Sequence, residues 1–171
     1  MPIFRMHPLW PRIEACHPQL WRAVCGYELN PSLREELYQE VLLAIWESLP
    51  RLREPDRILY FALRIAHNLG ASHARAAVRK PASESFDEQS HGMPAEDDNA
   101  DSGAAQRKWL FEALSGLPLN QRQVLMLQLE GFDYAEIADL LGISVENVGV
   151  RLHRARDGLR KMLREEKIDE H

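Results

Sequence analysis

The chain has 171 residues, 45% of them hydrophobic, and carries 21 Lys+Arg against 26 Asp+Glu for a formal net charge of −5. That length builds one medium domain or two small ones, and two cysteines, Cys16 and Cys25, are too few for a disulfide framework; in one helix they would stand about 13 Å apart along the axis. No apolar run approaches the roughly 20 residues of a membrane span and no signal-peptide core opens the chain, so the expectation is a cytoplasmic protein of the reducing cytosol with no membrane partner.

Strand signals are nearly absent and 3.6-residue periodicity recurs, which predicts an all-α protein. Residues 8 to 28 read as one or two short helices with Leu20, Trp21 and Val24 turned inward. Asn30-Pro31-Ser32 then precedes Leu33-Arg34-Glu35, which reads as a capping box of Ser32 and Glu35. The stripe Leu37, Val41, Ile45 and Leu49 marks a buried face, and Pro50 ends the run. After a polar turn, Asp56 reads as the N-cap of a helix bearing Ile58, Phe61, Ala62, Ile65 and Leu69 at helical spacing. Residues 57 to 80 hold Arg57, Arg64, Arg75, Arg79 and Lys80, with His67 and His73, and no acid. A helix so polarised suits an anion better than it suits bulk water.

The next stretch reverses the sign. Residues 81 to 104 carry Glu84, Asp87, Glu88, Glu96, Asp97, Asp98 and Asp101 and no Lys or Arg, so taking −7 from −5 leaves +2 on the rest of the chain. Fields fade over roughly 8–10 Å at physiological salt, so local charge decides which partner binds where. Pro, Ser and Gly with few apolar residues predict a flexible acidic linker. The map is then two small helical domains, 1–80 and 105–171, joined by 81–104. The second domain opens on a pattern of Trp109, Leu110, Leu114 and Leu117. Pro118-Leu119-Asn120 punctuates it, and a helix with Val124, Leu125, Leu127 and Leu129 follows.

The sharpest local signal lies at 133 to 156. Asp133 and Glu136 form a capping box, Gly142 stands where a left-handed residue is needed, and Ser144 caps a second helix with Val148, Leu152, Ala155 and Leu159 inward. Small Ala138 lets the two helices approach, and Ile137, Leu141 and Ile143 complete the apolar positions of a helix-turn-helix. An ordinary helical hairpin has the same spacing, but a solvated helix usually mixes its charges. Here Arg151, Arg154, Arg156, Arg160, Lys161 and Arg164 face a single Asp157, a set suited to phosphate oxygens.

These residues carry a family resemblance. Leu117-Pro118-Leu119-Asn120-Gln121-Arg122-Gln123-Val124-Leu125, Tyr134-Ala135-Glu136-Ile137-Ala138 and Val150-Arg151-Leu152-His153-Arg154-Ala155-Arg156 closely resemble region 4 of the extracytoplasmic-function (ECF) sigma factors of the sigma-70 family. Glu35-Glu36-Leu37-Tyr38-Gln39-Glu40-Val41 resembles the polymerase-binding segment of their region 2, and Leu63-Arg64-Ile65-Ala66-His67-Asn68 their promoter-melting helix. The resemblance implies a bacterial transcription initiation factor without enzymatic activity or cofactor. It implies core RNA polymerase as partner, met at the β′ clamp helices through Glu35, Glu36, Gln39 and Glu40 and at the β flap through region 4. Double- and single-stranded promoter DNA would be the other partner. Arg64, His67, Asn68, His73, Arg75, Arg79 and Lys80 would serve the −10 element. Asn147, Gly149, Val150, Arg151, His153, Arg154 and Arg156 would serve the −35 element. The family also admits an anti-sigma protein wedged between the domains.

Three positions depart from the family pattern. Leu33 stands where an Asp often opens the acidic run, and Phe61 where Trp is usual. Gly149 and Val150 replace a Lys or Arg and then a Ser on the recognition helix. Glycine offers no side chain to a base and Val150 can touch only a thymine methyl. Base reading would fall to Asn147, Val150 and His153, with Arg151 and Arg154 on phosphate, which predicts weak or unusual −35 specificity. Rival readings are a sigma-like decoy, which needs no cations over 57 to 80, and a stand-alone helix-turn-helix regulator, which lacks a receiver with strands. His7, Cys16, His17 and Cys25 match no common metal-site spacing, and no metal is expected.

Overall fold

A computed structural model describes residues 6–79 and 101–170 of the chain, and every regular element among them is helical. Helices α1 (Trp10–Ala15), α2 (His17–Cys25), α3 (Pro31–Ser48) and α4 (Ile58–Arg79) form the first unit. The second is built from α5 (Asp101–Ser115), α6 (Leu119–Leu129), α7 (Tyr134–Leu141) and α8 (Val145–Asp169). Lys80 and the acidic residues from Glu84 to Asp98 lie outside the described residues, and Asp101 is already the first residue of α5.

The first unit is organised around α4, against which α1, α2 and α3 all pack. The α3 stripe is as its period predicts: Leu37, Val41, Ile45 and Leu49 are all buried. Its start is different. Asn30, not Ser32, is the N-cap, its side chain accepting from the backbone N–H groups of Ser32 (3.0 Å) and Leu33 (3.2 Å). Pro31 explains the shift, because its fixed φ and missing N–H suit the first helical position and move the cap to the preceding residue. Asp56 likewise caps nothing. Pro55–Arg57 is a short 3-10 turn that runs directly into α4.

The inner face of α4 also differs from the expected stripe. Ile58 and Ala62 are buried, but Phe61, Ile65 and Leu69 are half-buried, and Leu63, Ala66 and His67 fill the interior instead. A helix covered on several sides buries more than one stripe, so a one-face template misassigns it. Tyr27 lies flat on α4 at Gly70, where an added Cβ would stand 2.2 Å from the ring. Leu20 and Val24 of α2 are fully buried, whereas Trp21 is half-exposed in an edge-to-face contact with Tyr38.

Candidate nucleic-acid interface

The helix-turn-helix is built from its own caps. The Asp133 carboxylate accepts from the Glu136 N–H at 2.8 Å, and the Glu136 carboxylate accepts from the Asp133 N–H at 2.9 Å, closing the box. Gly142 ends α7 at φ 69°, a left-handed conformation that costs other residues roughly 1–2 kcal/mol. The Ser144 hydroxyl then accepts from the Asn147 N–H at 3.1 Å and starts α8. Val148, Leu152 and Ala155 seat α8 on α6 and α7, and Ile137, Ala138 and Leu140 seat α7. The second half of α8 is held by α5, with Leu159 and Met162 half-buried and the Trp109 indole N–H donating to the Glu166 carboxylate at 2.8 Å.

This packing leaves one face of α8 open. Asn147, Val150, His153 and Arg154 are exposed, Val150 at 47%, and Gly149 and Arg151 are half-exposed. A Cβ at Gly149 would meet only the Tyr134 ring at 3.6 Å, so the position has room that glycine leaves unused. Arg156 is committed differently from the expectation. Its guanidinium donates to Gln128 Oε1 at 2.6 Å, which ties α8 to α6. His153 stands 3.4 Å from the Asp157 carboxylate, and Arg160 3.2 Å from it, so Asp157 offsets part of the cationic face. Arg154, Lys161 and Arg164 are exposed.

On α4, Arg64, Asn68, Arg75 and Arg79 are exposed, and His73 pairs with the half-buried Glu28 at 2.7 Å. His67 does not belong with them. It is 1% exposed, its Nδ1 lies 2.6 Å from the Tyr27 hydroxyl, and burial pushes its pKa down to about 4. A buried neutral imidazole cannot meet a phosphate, so the expectation that His67 contacts DNA is corrected to a core role. On α3, Glu35, Glu36, Gln39 and Glu40 all face solvent, and Leu43, 58% exposed, extends their stripe. Cys16 and Cys25 are buried and free of disulfide, and no group of His, Cys, Asp and Glu among the described residues is placed to hold a metal ion.

Sequence reasoning missed how the two units meet. Tyr60, Arg57 and Arg64 reach α7, Arg22 of α2 reaches Glu130, and Met126 is buried beside Gly26. Nothing in the spacing of Arg57, Tyr60 and Arg64 along the chain points to α7 as their partner.

Residues 12–80 match the family described as Sigma-70 region 2, and residues 107–159 match Sigma-70, region 4. The chain is 34% identical over 137 residues to the ECF RNA polymerase sigma factor ShbA of Streptomyces griseus, covering 75% of this chain and 70% of that one. It is 27% identical over 156 residues to the probable RNA polymerase sigma factor RfaY of Xanthomonas campestris, covering 88% of this chain but spanning only 39% of that relative's length. Among solved structures, the sigma factor RpoE, determined in complex with the anti-sigma factor NepR from Bartonella quintana, shares the fold at a TM-score of 0.66 and 22% identity. That match covers 90% of this chain and 97% of that one.

Proposed function

Because the chain belongs to the extracytoplasmic-function sigma factors of the sigma-70 family, we propose that it binds core RNA polymerase and directs it to promoters by engaging their −10 and −35 elements. The observation that supports this reading most is the pairing of two differently built cationic surfaces, one on each helical unit. A fully capped helix-turn-helix presents Asn147, Val150, His153 and Arg154 outward. A separate helix, α4, presents Asn68, Arg75 and Arg79.

In this reading Glu35, Glu36, Gln39 and Glu40, with Leu43, dock on the β′ clamp helices. Arg64, Asn68, Arg75, Arg79 and Lys80 serve the −10 element, and His73 acts there only through its pairing with Glu28. Arg151 and Arg154 hold −35 phosphates, which gives salt-dependent affinity without sequence information. Asn147, Val150 and His153 touch base edges, and none of the three reproduces the bidentate guanine contact of an Arg or Lys. Arg156 orients α8 through Gln128. The −35 element is therefore read weakly. The chain carries out no chemistry of its own and works in the cytoplasm, where the polymerase is; region 4 would also meet the β flap, and an anti-sigma protein remains a candidate regulator.

Run-off transcription with purified core polymerase tests the proposal. The chain should associate with core and yield discrete transcripts. Arg151→Ala with Arg154→Ala should reduce −35 binding and lower the slope of log affinity against log salt by about 2. Failure to associate with core, or an unchanged salt slope, would sink it.

A further inference from the structure

Three apolar side chains stand exposed at the opening of the helix-turn-helix. Tyr134, the first residue of α7, is 37% exposed, and Val145 and Val150 of α8 are 45% and 47% exposed. They surround Gly149. Val145 lies one turn before it on the same side of α8, and Val150 is the next residue. The Tyr134 ring closes the remaining side, 3.6 Å from where a Cβ on Gly149 would stand. At Gly158 of the same helix a Cβ would come within 2.7 Å of a Leu117 methyl, so close packing calls for glycine there. No such contact accounts for Gly149, although glycine weakens a helix interior relative to alanine. Its missing side chain leaves an open notch on the outer surface, in which an incoming group reaches the α8 backbone between Tyr134 and Val150.

We propose that this notch takes the C5-methyl group of a pyrimidine, so that the helix-turn-helix selects its element by thymine methyls, with Tyr134 and Val150 as the residues that set the preference. The proposal rests on the reading above as an initiation factor and names what its −35 site recognises. The surroundings call for an anion: Arg154 is exposed and Arg151 half-exposed, both beside Val150. The notch itself is apolar, and the thymine methyl is the one apolar group that base edges present in a major groove. A ligand that is anionic along its length and apolar at one point is duplex DNA with a thymine in register. Position along the helix agrees, because the N-terminal turns of a recognition helix meet base edges, and residues 145 to 150 open α8.

The size of the effect follows from the chemistry. Burying one methyl favours binding about fourfold. A bidentate hydrogen-bonded pair discriminates by roughly fivefold to over a hundredfold. Methyl reading is therefore weak at each base pair, in keeping with a helix that offers no Lys or Arg at positions 149 and 150. It also has a signature that hydrogen-bond reading lacks: it follows the methyl and not the base, so a C5-methylated cytosine satisfies the notch where plain cytosine does not.

The test changes the methyl alone. Single thymines in the upstream element of a promoter mapped by run-off are replaced by deoxyuridine, which removes the methyl and keeps the pairing. Holoenzyme assembled from the full chain and core polymerase should bind about fourfold less tightly when the thymine facing the notch is replaced. A 5-methylcytosine–guanine pair placed there should outbind cytosine–guanine by a similar factor. Both differences should vanish in Tyr134→Ala with Val150→Ser, two exposed positions whose change leaves the core and the helix caps in place. Affinity indifferent to the methyl at every thymine overturns the notch, and is the result expected if these side chains face the polymerase instead. A methyl effect of equal size in the variant overturns it too, because the effect then belongs to the duplex. Should the chain fail to associate with core, the initiation-factor reading fails, and the notch is decided without polymerase. The free chain then selects from random duplex pools amplified with thymidine or with deoxyuridine triphosphate. A motif with thymine at a fixed position, present in the first pool and lost from the second, supports the notch; the same motif from both pools, or none from either, overturns it.

Discussion

Acidification singles out His67. The ring is fully buried, hydrogen-bonded to the Tyr27 hydroxyl at 2.6 Å and met edge-on by the Tyr27 ring at 5.5 Å. Burial lowers its pKa from 6.5 to about 4, and the same burial raises the Tyr27 phenol, so the pair is neutral at physiological pH. The unfolded chain takes up a proton at this histidine near pH 6.5, whereas the folded chain resists until about pH 4. Between those values the unfolded state binds more protons, so stability falls as pH falls and is unaffected by this group above them. At 1.36 kcal/mol per pH unit the full loss is about 3 kcal/mol, a large share of a typical domain's stability. Urea midpoints followed by circular dichroism between about pH 7.5 and pH 4.5 should show this loss in the parent. His67→Gln, which keeps a polar partner for Tyr27 but does not titrate, should lack it, and every other titrating group cancels in the comparison. Parallel stability curves for parent and variant, or a His67 ring resonance that titrates near 6.5, would refute the reasoning.

Two further outcomes follow from the recognition fold. Gly149→Lys should strengthen −35 binding, because the position has room for a Cβ, loses about 1 kcal/mol of glycine's helix penalty and gains a cation; a gel-shift titration in which the variant binds no tighter contradicts this. Gly142→Ala should lower the thermal midpoint by destabilising the left-handed turn at φ 69° by about 1 kcal/mol or more, with an unaltered midpoint as the contrary result.

Where local chemistry fixes local structure, the residues were legible. Asp133, Glu136, Gly142 and Ser144 are each followed by the turn or helix start their side chains or backbone freedom dictate. Val148, Leu152 and Ala155 are buried because α8 has one inward face. Where two local signals competed, the reading slipped: Pro31 at the first helical position displaced the cap from Ser32 to Asn30. The third kind of error is long-range. His67 looked like one more cation in an acid-free run, and only the contacts with Tyr27 and Gln123, 40 and 56 residues away, make it a core group. The contact between the two units was illegible for the same reason, since Asp139 and Glu130 read as ordinary surface acids until the fold brings Arg57 and Arg22 to them.

The grip on α8 has a consequence for how a promoter is chosen. Held at its front by α6 and α7 and at its rear by α5, the helix would, in the proposed role, enter a groove as a wedge with little freedom to tilt. Its leading surface offers a bare backbone at Gly149 and a short branched side chain at Val150 in place of long adaptable donors. Accommodation is then left to the duplex, so sequences whose groove width and bendability already match the wedge would be preferred even at base pairs that no side chain reaches.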